Sequence, residues 1–446
     1  MRRINVEIRT TRELALRALI EILEMNKYTN LVIDGILKEH EELSIRERAF
    51  VSRLIRGTVE RKPTLDGVID SLAKPPTSRQ KPYIRNLLRM SAYQILFMDG
   101  IRDAAAINEA VALSKKHGFA GLSGFINGVL RNIAREKERF LSEIDKNEDL
   151  AVPKWIEGLL TERFGNEKAK EIEKAFLMSR PACIRITNDK TEEIITSVED
   201  IKITKSEGLD HVYLIEDPGD LRKLPGFEEG KIYIQDEGAI RLLCDGIKAM
   251  EEDGGFKGYD KDNAFTAIDV CAAPGGKAIH LAHILKEKLP KEAEYKITAG
   301  DISENKVRLM EENIRRSGLE NIDAKVRDAL KIDTVMKEKA DLVICDLPCS
   351  GLGVIGRKPD IKYRLKKEDI EELAALQENM LEAAKILVKP GHYLLYATCT
   401  LTEAENEGQI ERFLAKNENF KLLKQKTYIP TPKNDGFFMS LLQKAF

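Results

Sequence analysis

Two of the six cysteines in this 446-residue chain stand just past the ends of predicted β-strands. Cys349 follows a proline after the strand predicted over 340–345, and Cys399 lies between two threonines after the strand predicted over 392–397. A thiol at a strand end beside a ligand can act as a nucleophile. Burial in a core is the usual alternative for a free cysteine, and it is the interpretation for Cys183, Cys244, Cys271 and Cys345.

A glycine-rich loop, DVCAAPGGK over 269–277, joins the strand predicted over 264–270 to the helix predicted over 278–288. Paired glycines let the backbone pass close to a ligand, and the first turn of a helix offers free N–H groups. A plain structural turn is the alternative. The loop lacks the GxGxxG spacing of a dinucleotide site, so an adenosine ligand without a pyrophosphate fits better. S-adenosylmethionine is therefore the expected cofactor.

Three acids, Asp301, Asp328 and Asp346, follow successive predicted strands. Asp301 lies 25 residues beyond Gly276, a spacing at which an acid can accept hydrogen bonds from both ribose hydroxyls. Capping of the next helix is the alternative. For Asp328 the two interpretations are contact with an adenine amino group and an ordinary loop position.

A thiolate, a carboxylate and a methyl sulfonium together suit a reaction on a pyrimidine. C5 of cytosine is a poor nucleophile, but thiolate attack at C6 turns the ring into an enamine that pushes electrons to C5. C5 then attacks the methyl group while N3 is protonated or hydrogen-bonded, a role that suits Asp346. The C5 proton must then leave and the thiolate must be expelled, which a second acid or base assists. Lys277 is a candidate cation for activating the thiol.

The elements that must position these residues alternate between strands and helices from residue 235 onward. Such alternation predicts a parallel sheet covered by helices on both faces, with ligands at the carboxyl ends of the strands. We predict an exposed loop over the polar stretch 250–263. The predicted strands are 264–270, 296–300, 323–326, 340–345 and 392–397, and the predicted helices are 239–250, 278–288, 303–317, 367–388 and 403–414.

Residues 1–140 show helical periodicity and no strand-like alternation, which predicts a helix bundle. A capping box at Ser44–Glu47 precedes one of the helices. The predicted helices are 12–25, 48–59, 83–98, 106–117 and 123–139.

The same 140 residues carry 25 Lys and Arg against 17 Asp and Glu, and 17 of the cations are Arg. Arg binds phosphate in a bidentate manner and stacks on bases. The charge balance therefore favours a nucleic-acid partner, and a solvated helical surface is the alternative.

Residues 141–234 predict a small α+β unit. A polar joining segment over 141–155 leads into helices over 155–164 and 167–178. The predicted strands that follow are 182–187, 201–204, 211–215 and 231–234.

Several classes of protein are disfavoured by composition. No apolar run approaches the roughly 18 residues that cross a bilayer, and Met1–Glu7 lacks the apolar stretch of a signal peptide. Six cysteines without a paired framework fit a reducing cytoplasm. We expect no metal site, because no His and Cys cluster has ligand spacing; His280 and His283 are expected on the two sides of a surface helix.

The motifs resemble those of a known family. INEAV over 107–111 and NGVLR over 127–131 resemble the RNA-binding NusB fold. Four further segments resemble the RNA cytosine-C5 methyltransferases: DVCAAPGGK over 269–277, DLPCSG over 346–351, YATCT over 396–400 and DGFF over 435–438. Essentially the whole chain thus resembles the bacterial 16S rRNA branch of that family, the RsmB type.

The resemblance implies a multidomain, cytoplasmic protein that is expected to be a monomer. Its domains would be an all-α NusB-like RNA-binding bundle over 1–140, a small α+β RNA-binding or linker domain over 141–234, and a Rossmann-like class I methyltransferase domain over 235–446. It implies methyl transfer from S-adenosylmethionine to C5 of a 16S rRNA cytosine through a covalent adduct with C6. The expected partner is 16S rRNA, with no membrane and no metal.

The resemblance also implies roles for single residues. Cys399 would be the nucleophile, Cys349 would assist product release, and Asp346 would contact N3 of the base beside Lys277. The residues implied to bind the cofactor are Cys271, Ala272, Ala273, Pro274, Gly275, Gly276, Lys277, Asp301, Asp328 and Asp346.

Arg357 and Lys358, in a segment similar to the family's substrate-side loop, would touch phosphate. Leu347 and Thr400 depart from the commoner residues of the family without altering the chemistry.

Three other functions stay open at this point. The same chemistry on tRNA or another rRNA site is one, because specificity is not readable from the catalytic motifs. A NusB-like assembly factor with an inactive methyltransferase domain is another, which the intact cysteines and glycine loop argue against. A DNA cytosine methyltransferase is the third, which the Thr-Cys site and the helical module disfavour.

Overall fold

The computed structural model describes residues 10–146, 152–178, 180–187, 189–196, 202–216, 221–331 and 334–446. The chain forms two units: Met1–Met178 with Ile355–Arg364, and Ser179–Val354 with Leu365–Phe446. The two helices at the start of the predicted middle domain thus belong to the first unit, and the division at residues 140 and 234 stays a prediction. Met1–Glu7, part of the predicted joining segment (147–151) and Ile201 lie outside the described residues.

The first unit is helical, as the periodicity predicts. Its core is apolar and buried, and α5 lies at its centre with most of its surface covered by the neighbouring helices. The helices are α1 (Thr11–Glu24), α2 (Thr29–Glu39), α3 (Ile45–Glu60), α4 (Lys62–Leu72), α5 (Pro82–Phe97), α6 (Asp103–Lys116), α7 (Ser123–Arg135), α8 (Lys137–Lys146), α9 (Lys154–Phe164) and α10 (Asn166–Phe176).

Local signals account for several helix ends. The predicted capping box is confirmed, because Ser44 Oγ accepts from the Glu47 N–H and the Glu47 side chain accepts from the Ser44 N–H. Prolines in the first turns of α4 and α5 cost no helical hydrogen bond there. The prediction of a single helix over 123–139 is wrong, because α7 ends at Arg135 and a separate helix, α8, begins at Lys137.

Some of the arginines that favoured a nucleic-acid partner are internal to this unit. Arg89 is buried and forms an ion pair with Asp66, with Nε 2.6 Å from Oδ1. Arg85 pairs with Glu24, which also accepts from Asn86. A buried charge such as that of Arg89 needs a counterion, so these two cations are engaged within the bundle and do not count toward an RNA surface.

The second unit begins with a small antiparallel sheet, which confirms the prediction of four strands between residues 182 and 234. Its strand order is β2-β3-β1-β4, and one short helix, α11 (Asp189–Thr196), follows the first strand. The strands are β1 (Ala182–Ile186), β2 (Lys202–Lys205), β3 (Val212–Glu216) and β4 (Ile232–Ile234).

A seven-stranded sheet forms the rest of the second unit, in the order β10-β11-β9-β8-β5-β6-β7. Strands β5 to β9 pair in parallel, and the order reverses between β5 and β8. The strands are β5 (Phe265–Asp269), β6 (Tyr295–Asp301), β7 (Ile322–Val326), β8 (Ala340–Asp346), β9 (Val388–Thr398), β10 (Phe420–Tyr428) and β11 (Phe437–Lys444). The flanking helices are α12 (Glu237–Glu252), α13 (Gly276–Lys288), α14 (Glu304–Ser317), α16 (Lys367–Ala384) and α17 (Glu407–Lys416).

Three predictions for this unit need correction. The hairpin of β10 and β11 is antiparallel to β9 and has no counterpart among the predicted strands. The 250–263 loop is not wholly exposed, because Phe256 and Tyr259 pack against Phe265. The helix predicted over 403–414 starts later, at Glu407, and a tight turn that contains Glu405 precedes it.

The segment Ile355–Arg364 lies in the helical unit although it follows the DLPCSG motif along the chain. Its short helix α15 (Ile361–Arg364) places Lys362 Nζ 2.6 Å from the carbonyl oxygen of Glu60, the last residue of α3. A cation there faces the negative end of the helix dipole, while burial lowers the pKa of Lys362 to about 8. The Tyr363 hydroxyl donates to the Val59 carbonyl at 2.7 Å.

None of the helices in the described ranges is long and apolar enough to cross a bilayer.

Candidate active site at the strand ends

The glycine-rich loop has the conformation that its sequence predicts. It leaves β5 after Asp269, and the N–H of Ala272 donates to the Gly300 carbonyl at 2.7 Å, which ties the loop to β6. Gly275 has φ +99°, and a Cβ there would lie 3.0 Å from Met310 Cγ. No side chain caps the start of α13, so its first N–H groups are left for a ligand.

The two strand-end cysteines lie together. Parallel β8 and β9 pair Asp346 with Ala397, so both loops leave the sheet at the same edge. Cys349 Sγ is 3.3 Å from Cys399 Sγ and 3.3 Å from the Cys399 backbone nitrogen, which donates to it. The hydrogen bond with Cys399, burial and the charge of Glu405 raise the pKa of Cys349 well above that of a free thiol. Cys349 is therefore a neutral thiol at pH 7.

Lys277 and Asp346 form an ion pair between the first turn of α13 and the end of β8. Their side chains are 13% and 28% exposed. Burial opposes the charge on Lys277, but Asp346, Asp269 and Cys399 together raise its pKa. The ammonium group thus stands within the electrostatic reach of both the predicted N3 contact and the predicted nucleophile.

Asp301 and Asp328 both make the local hydrogen bonds of turn residues. Asp301 is buried at the end of β6, and its Oδ1 accepts from the Ser303 N–H at 3.1 Å, just before α14. Asp328 is half-buried and accepts from the Leu330 N–H at 3.0 Å. Ser303 is the N-cap of α14, and Asp301 bonds the N–H of that residue, so Asp301 does not cap the helix itself. The contacts of both acids with a cofactor stay predictions.

Asp269 is a candidate that sequence reasoning missed, although it begins the DVCAAPGGK stretch. Its side chain is 1% exposed, and neither carboxylate oxygen makes a hydrogen bond of good geometry within the described residues, although the backbone of Cys271 lies close enough to lower its pKa. Burial raises its pKa to about 7, against the opposing charge of Lys277. Buried polar atoms are normally satisfied, so this orphaned carboxylate beside the glycine loop fits a cationic group of a ligand.

The predicted thiolate chemistry does not extend to Cys271. Burial, with the charges of Asp269 and Asp346, raises the pKa of Cys271 to about 12. Burial likewise raises the pKa of Cys345. Both thiols stay protonated, in line with their interpretation as structural cysteines, and a part for Cys271 in cofactor binding stays a prediction.

The DGFF segment supports the cysteine loops through the backbone. The N–H of Gly436 donates to the Gly353 carbonyl at 2.8 Å, and the N–H of Gly353 donates to the Cys399 carbonyl at 3.0 Å. A Cβ on Gly353 would lie 2.2 Å from the Gly436 oxygen, so only glycine fits there. Asp435 forms a buried ion pair with Arg180.

A separate cleft of about 1020 Å³ lies between the four-stranded sheet and helices α12 and α13. None of the residues predicted for the active site lines it. His280 and His283 do, and His280 is buried, so the prediction that they stand on a surface helix is wrong. Across the described ranges, no group of three or more His, Cys, Asp or Glu side chains is arranged to hold a metal ion.

Together, the strand order, the glycine loop at the end of β5 and the acid at the end of β6 define a Rossmann-like methyltransferase domain, joined to a NusB-like helical domain. Family models agree, matching 16S rRNA methyltransferase RsmB/F at residues 259–443 and the NusB family at residues 9–135.

Relatives extend this match to nearly the whole chain. A probable ribosomal RNA small subunit methyltransferase B from Bacillus subtilis is 33% identical, and the match covers 92% of this chain and 90% of the relative's length. A ribosomal RNA small subunit methyltransferase B from Shewanella oneidensis is 32% identical, and the match covers 97% of this chain and 99% of that protein. The crystal structure of PH0851 matches this chain with a TM-score of 0.77 and 24% identity. The match covers 97% of this chain and 98% of that chain, so the two share the fold. This chain belongs to the ribosomal RNA small subunit methyltransferase B family.

Proposed function

We propose that this protein transfers a methyl group from S-adenosylmethionine to C5 of a cytosine in 16S rRNA. The observation that carries the proposal is the pair of thiols, 3.3 Å apart, beside the Lys277–Asp346 ion pair at one edge of the sheet. Methyl transfer to a ribose or an exocyclic nitrogen needs no thiol, whereas C5 of a pyrimidine needs a nucleophile at C6.

The residues around the glycine loop fit S-adenosylmethionine. The loop 271–277 would hold the methionine part, with the ammonium group against the orphaned carboxylate of Asp269. Asp301 Oδ2 and Asp328 would accept from ribose and adenine, as their positions after β6 and β7 allow. When bound, the cofactor supplies an electrophilic methyl group on a sulfonium centre.

Cys399 is the nucleophile in this proposal. A cation nearby stabilises a thiolate relative to a thiol, and Lys277 is the cation whose charge interacts with Cys399. The thiolate adds to C6 of the flipped-out cytosine, and the ring becomes nucleophilic at C5. Asp346 faces the N3 edge, and the proton that leaves the Cys399 thiol passes by way of its carboxylate to N3, where it offsets the charge that builds up on the ring.

Cys349 acts after methyl transfer. Release requires loss of the C5 proton and cleavage of the bond between C6 and Cys399 Sγ. The C5 proton passes to a water molecule acting as base, and its electron pair restores the C5–C6 double bond as the bond from C6 to sulfur breaks. Cys349 Sγ stands beside the leaving sulfur, and we assign its thiol the role of donating a hydrogen bond to the Cys399 thiolate that departs. Because its pKa is raised, Cys349 stays a thiol in the free enzyme and does not compete as the nucleophile.

The helical unit supplies the RNA surface. Arg56 in this unit lies near both Asp34 and Arg357: burial lowers the pKa of Arg56, the charge of Asp34 opposes that shift, and the charge of Arg357 adds to it. Lys358 is exposed in the same segment. Two guanidinium groups held close together favour a phosphate between them. The names of the relatives point to small-subunit rRNA as the source of that phosphate.

A methylation assay on defined RNAs tests the proposal. The protein is incubated with S-adenosylmethionine and either protein-free 16S rRNA or a small-subunit particle, with 23S rRNA and bulk tRNA as controls. We expect 5-methylcytosine at one site of the 16S RNA only. Methylation of tRNA alone would transfer the chemistry to another substrate, and a methylated base other than 5-methylcytosine would contradict the role of the thiols.

A further inference from the structure

A buried carboxylate lies directly behind the two reactive thiols. Glu405 is 0% exposed and sits in the tight turn before α17. Its Oε1 accepts from the Ser350 N–H at 2.8 Å and from Gln377 Nε2 at 3.1 Å. Its Oε2 accepts from the hydroxyl groups of Ser350 at 2.5 Å and Thr402 at 2.7 Å. Each oxygen therefore has two donors.

The donors come from both cysteine loops. Ser350 directly follows Cys349, and Thr400 directly follows Cys399. Ser350 Oγ is 2.6 Å from Thr400 Oγ1. A hydroxyl carries one proton, and that of Ser350 points to Glu405, so the Thr400 hydroxyl must donate to Ser350. The two loops are thus joined one residue beyond each thiol, with Glu405 as the final acceptor.

A second connection runs through α16. Gln377 Nε2 donates to the Pro348 carbonyl at 2.9 Å as well as to Glu405, so it holds the residue that precedes Cys349. The Tyr396 hydroxyl, at the end of β9, donates to the Glu405 carbonyl at 2.5 Å. The backbone and the carboxylate of Glu405 therefore both take part in fixing the two strand ends.

Packing alone does not account for a carboxylate at this position. In the described part of the chain no Lys, Arg or His forms an ion pair with Glu405. A buried charge without a counterion is costly, and an apolar or neutral residue of similar volume usually serves stability as well. A carboxylate can, however, accept four hydrogen bonds at once, which no neutral side chain can do. The arrangement demands that capacity because four donors converge.

We propose that Glu405 is a positioning residue that sets the separation of Cys349 Sγ and Cys399 Sγ. The inference rests on the proposed function in one respect, that these two thiols are the reacting pair. Glu405 touches neither base nor cofactor, and it acts through Ser350 and Thr400. Its loss leaves donors without acceptors in a buried site, which loosens both loops.

Thiol crosslinking tests the proposal independently of methyl transfer. Diamide accepts two electrons and two protons from a pair of neighbouring thiols, which become a disulfide. In the full-length protein we expect rapid formation of the Cys349–Cys399 disulfide, detected as a crosslinked peptide by mass spectrometry. In Glu405→Gln its rate should fall by about tenfold or more, the factor for losing about one buried hydrogen bond. Glu403→Gln, the same change two residues away at an exposed position, should match the wild type.

Thr400 offers a second variant pair if Glu405→Gln fails to fold. Thr400→Ser keeps the hydroxyl that donates to Ser350, and Thr400→Val has nearly the same shape without it. We expect wild-type crosslinking in the first and slowed crosslinking in the second. In methylation assays, kcat should fall for Glu405→Gln and Thr400→Val while KM for S-adenosylmethionine stays the same.

Equal crosslinking rates in folded Glu405→Gln and Glu403→Gln would overturn the positioning role. If no variant or wild type methylated RNA, the proposed function would fail, and the crosslinking rates would still decide what Glu405 does.

Discussion

Lys277 Nζ donates a hydrogen bond to Asp346 Oδ2, joining the first turn after the glycine loop to the end of the neighbouring strand β8. The pair connects the cofactor side of the proposed site with the base side. It also places an ammonium group where it interacts with Cys399. The predictions below concern this site and the charged surface of the helical unit.

Removal of the ammonium group should impair chemistry more than binding. Lys277→Gln leaves Asp346 without its counterion and Cys399 without a nearby cation, so kcat should fall by at least about 100-fold, within the range for acid–base groups. KM for S-adenosylmethionine should rise by a much smaller factor, because Lys277 is only one of the loop residues that would hold the cofactor. Lys286→Gln, an exposed lysine on the same helix, is the matched control. Unchanged kcat in Lys277→Gln would remove Lys277 from the mechanism.

The buried carboxylate of Asp269 predicts a pH-dependent stability. Its pKa is raised from 3.8 to about 7, because burial favours the protonated form. The folded state therefore holds this proton more tightly than the unfolded chain does. The resulting stabilisation is fully present below pH 3.8 and is lost as the pH rises toward about 7.

Asp269→Asn should remove that dependence. Between pH 5 and pH 7, the free energy of unfolding of the wild type should decline relative to the variant, by at most about 1.4 kcal/mol per pH unit. Urea unfolding of the cofactor-free protein at several pH values measures the difference. Asp262→Asn, at an exposed position, should follow the wild type. Parallel curves for Asp269→Asn and the wild type would show that Asp269 is ionised throughout.

Asp301 should contribute to cofactor affinity. Asp301→Ala removes the predicted acceptor for ribose and should weaken S-adenosylmethionine binding by about 10- to 100-fold, as expected for a charge-assisted hydrogen bond. Because Asp301 also accepts from Ser303, thermal unfolding of the cofactor-free variant gives the separate cost of losing that turn hydrogen bond. If calorimetry showed that the folded variant binds S-adenosylmethionine as tightly as the wild type, Asp301 would be left with its turn hydrogen bond to Ser303 alone.

The charges of the 355–364 segment should govern RNA affinity. The double substitution Arg357→Gln and Lys358→Gln should weaken 16S rRNA binding and reduce the slope of log K against log salt by about one for each phosphate that is no longer neutralised. Point substitutions are preferable to deletion of the helical domain, which would expose the buried Lys362 and Tyr363. Lys286→Gln again serves as the control, and an unaltered salt slope in the double variant would exclude phosphate binding by this segment.

The meeting of the two cysteines could be predicted from sequence because it follows from topology. Parallel strands end at the same edge of a sheet, so residues just past β8 and β9 had to be neighbours. Gly275 was predictable for a similar reason, since its left-handed φ of +99° is a conformation that favours glycine. In both cases a residue type that is visible in the sequence stands at a position whose geometry follows from a general rule of protein structure.

The hairpin of β10 and β11 lacks such a signal. β10 is rich in Lys and has one buried residue, as suits the edge of a sheet. The eight residues between the two strands contain no short hairpin turn. Its polar residues resemble those of a loop. These residues become strands only because β10 pairs with β11 and β11 pairs with β9, and such pairing cannot be read from the local sequence.

The buried acids were missed for another reason. A glutamate near the start of a predicted helix, such as Glu405, is most often solvated, and an aspartate at the end of a strand, such as Asp269, reads as the last residue of that strand. Their burial comes from the packing of distant segments. Similarly, the sequence of 355–364 contains nothing that assigns it to the helical unit rather than to the sheet on either side.

Covalent trapping tests the central claim, that Cys399 attacks the base and Cys349 releases it. Each variant is incubated with S-adenosylmethionine and 16S rRNA and run on a denaturing gel, with Cys244→Ala as the control for loss of a cysteine outside the site. We predict a slowly migrating protein–RNA band for Cys349→Ala, and none for Cys399→Ala or for the double variant. A band for Cys399→Ala and none for Cys349→Ala would exchange the two roles, and the absence of a band from every variant would contradict the covalent mechanism.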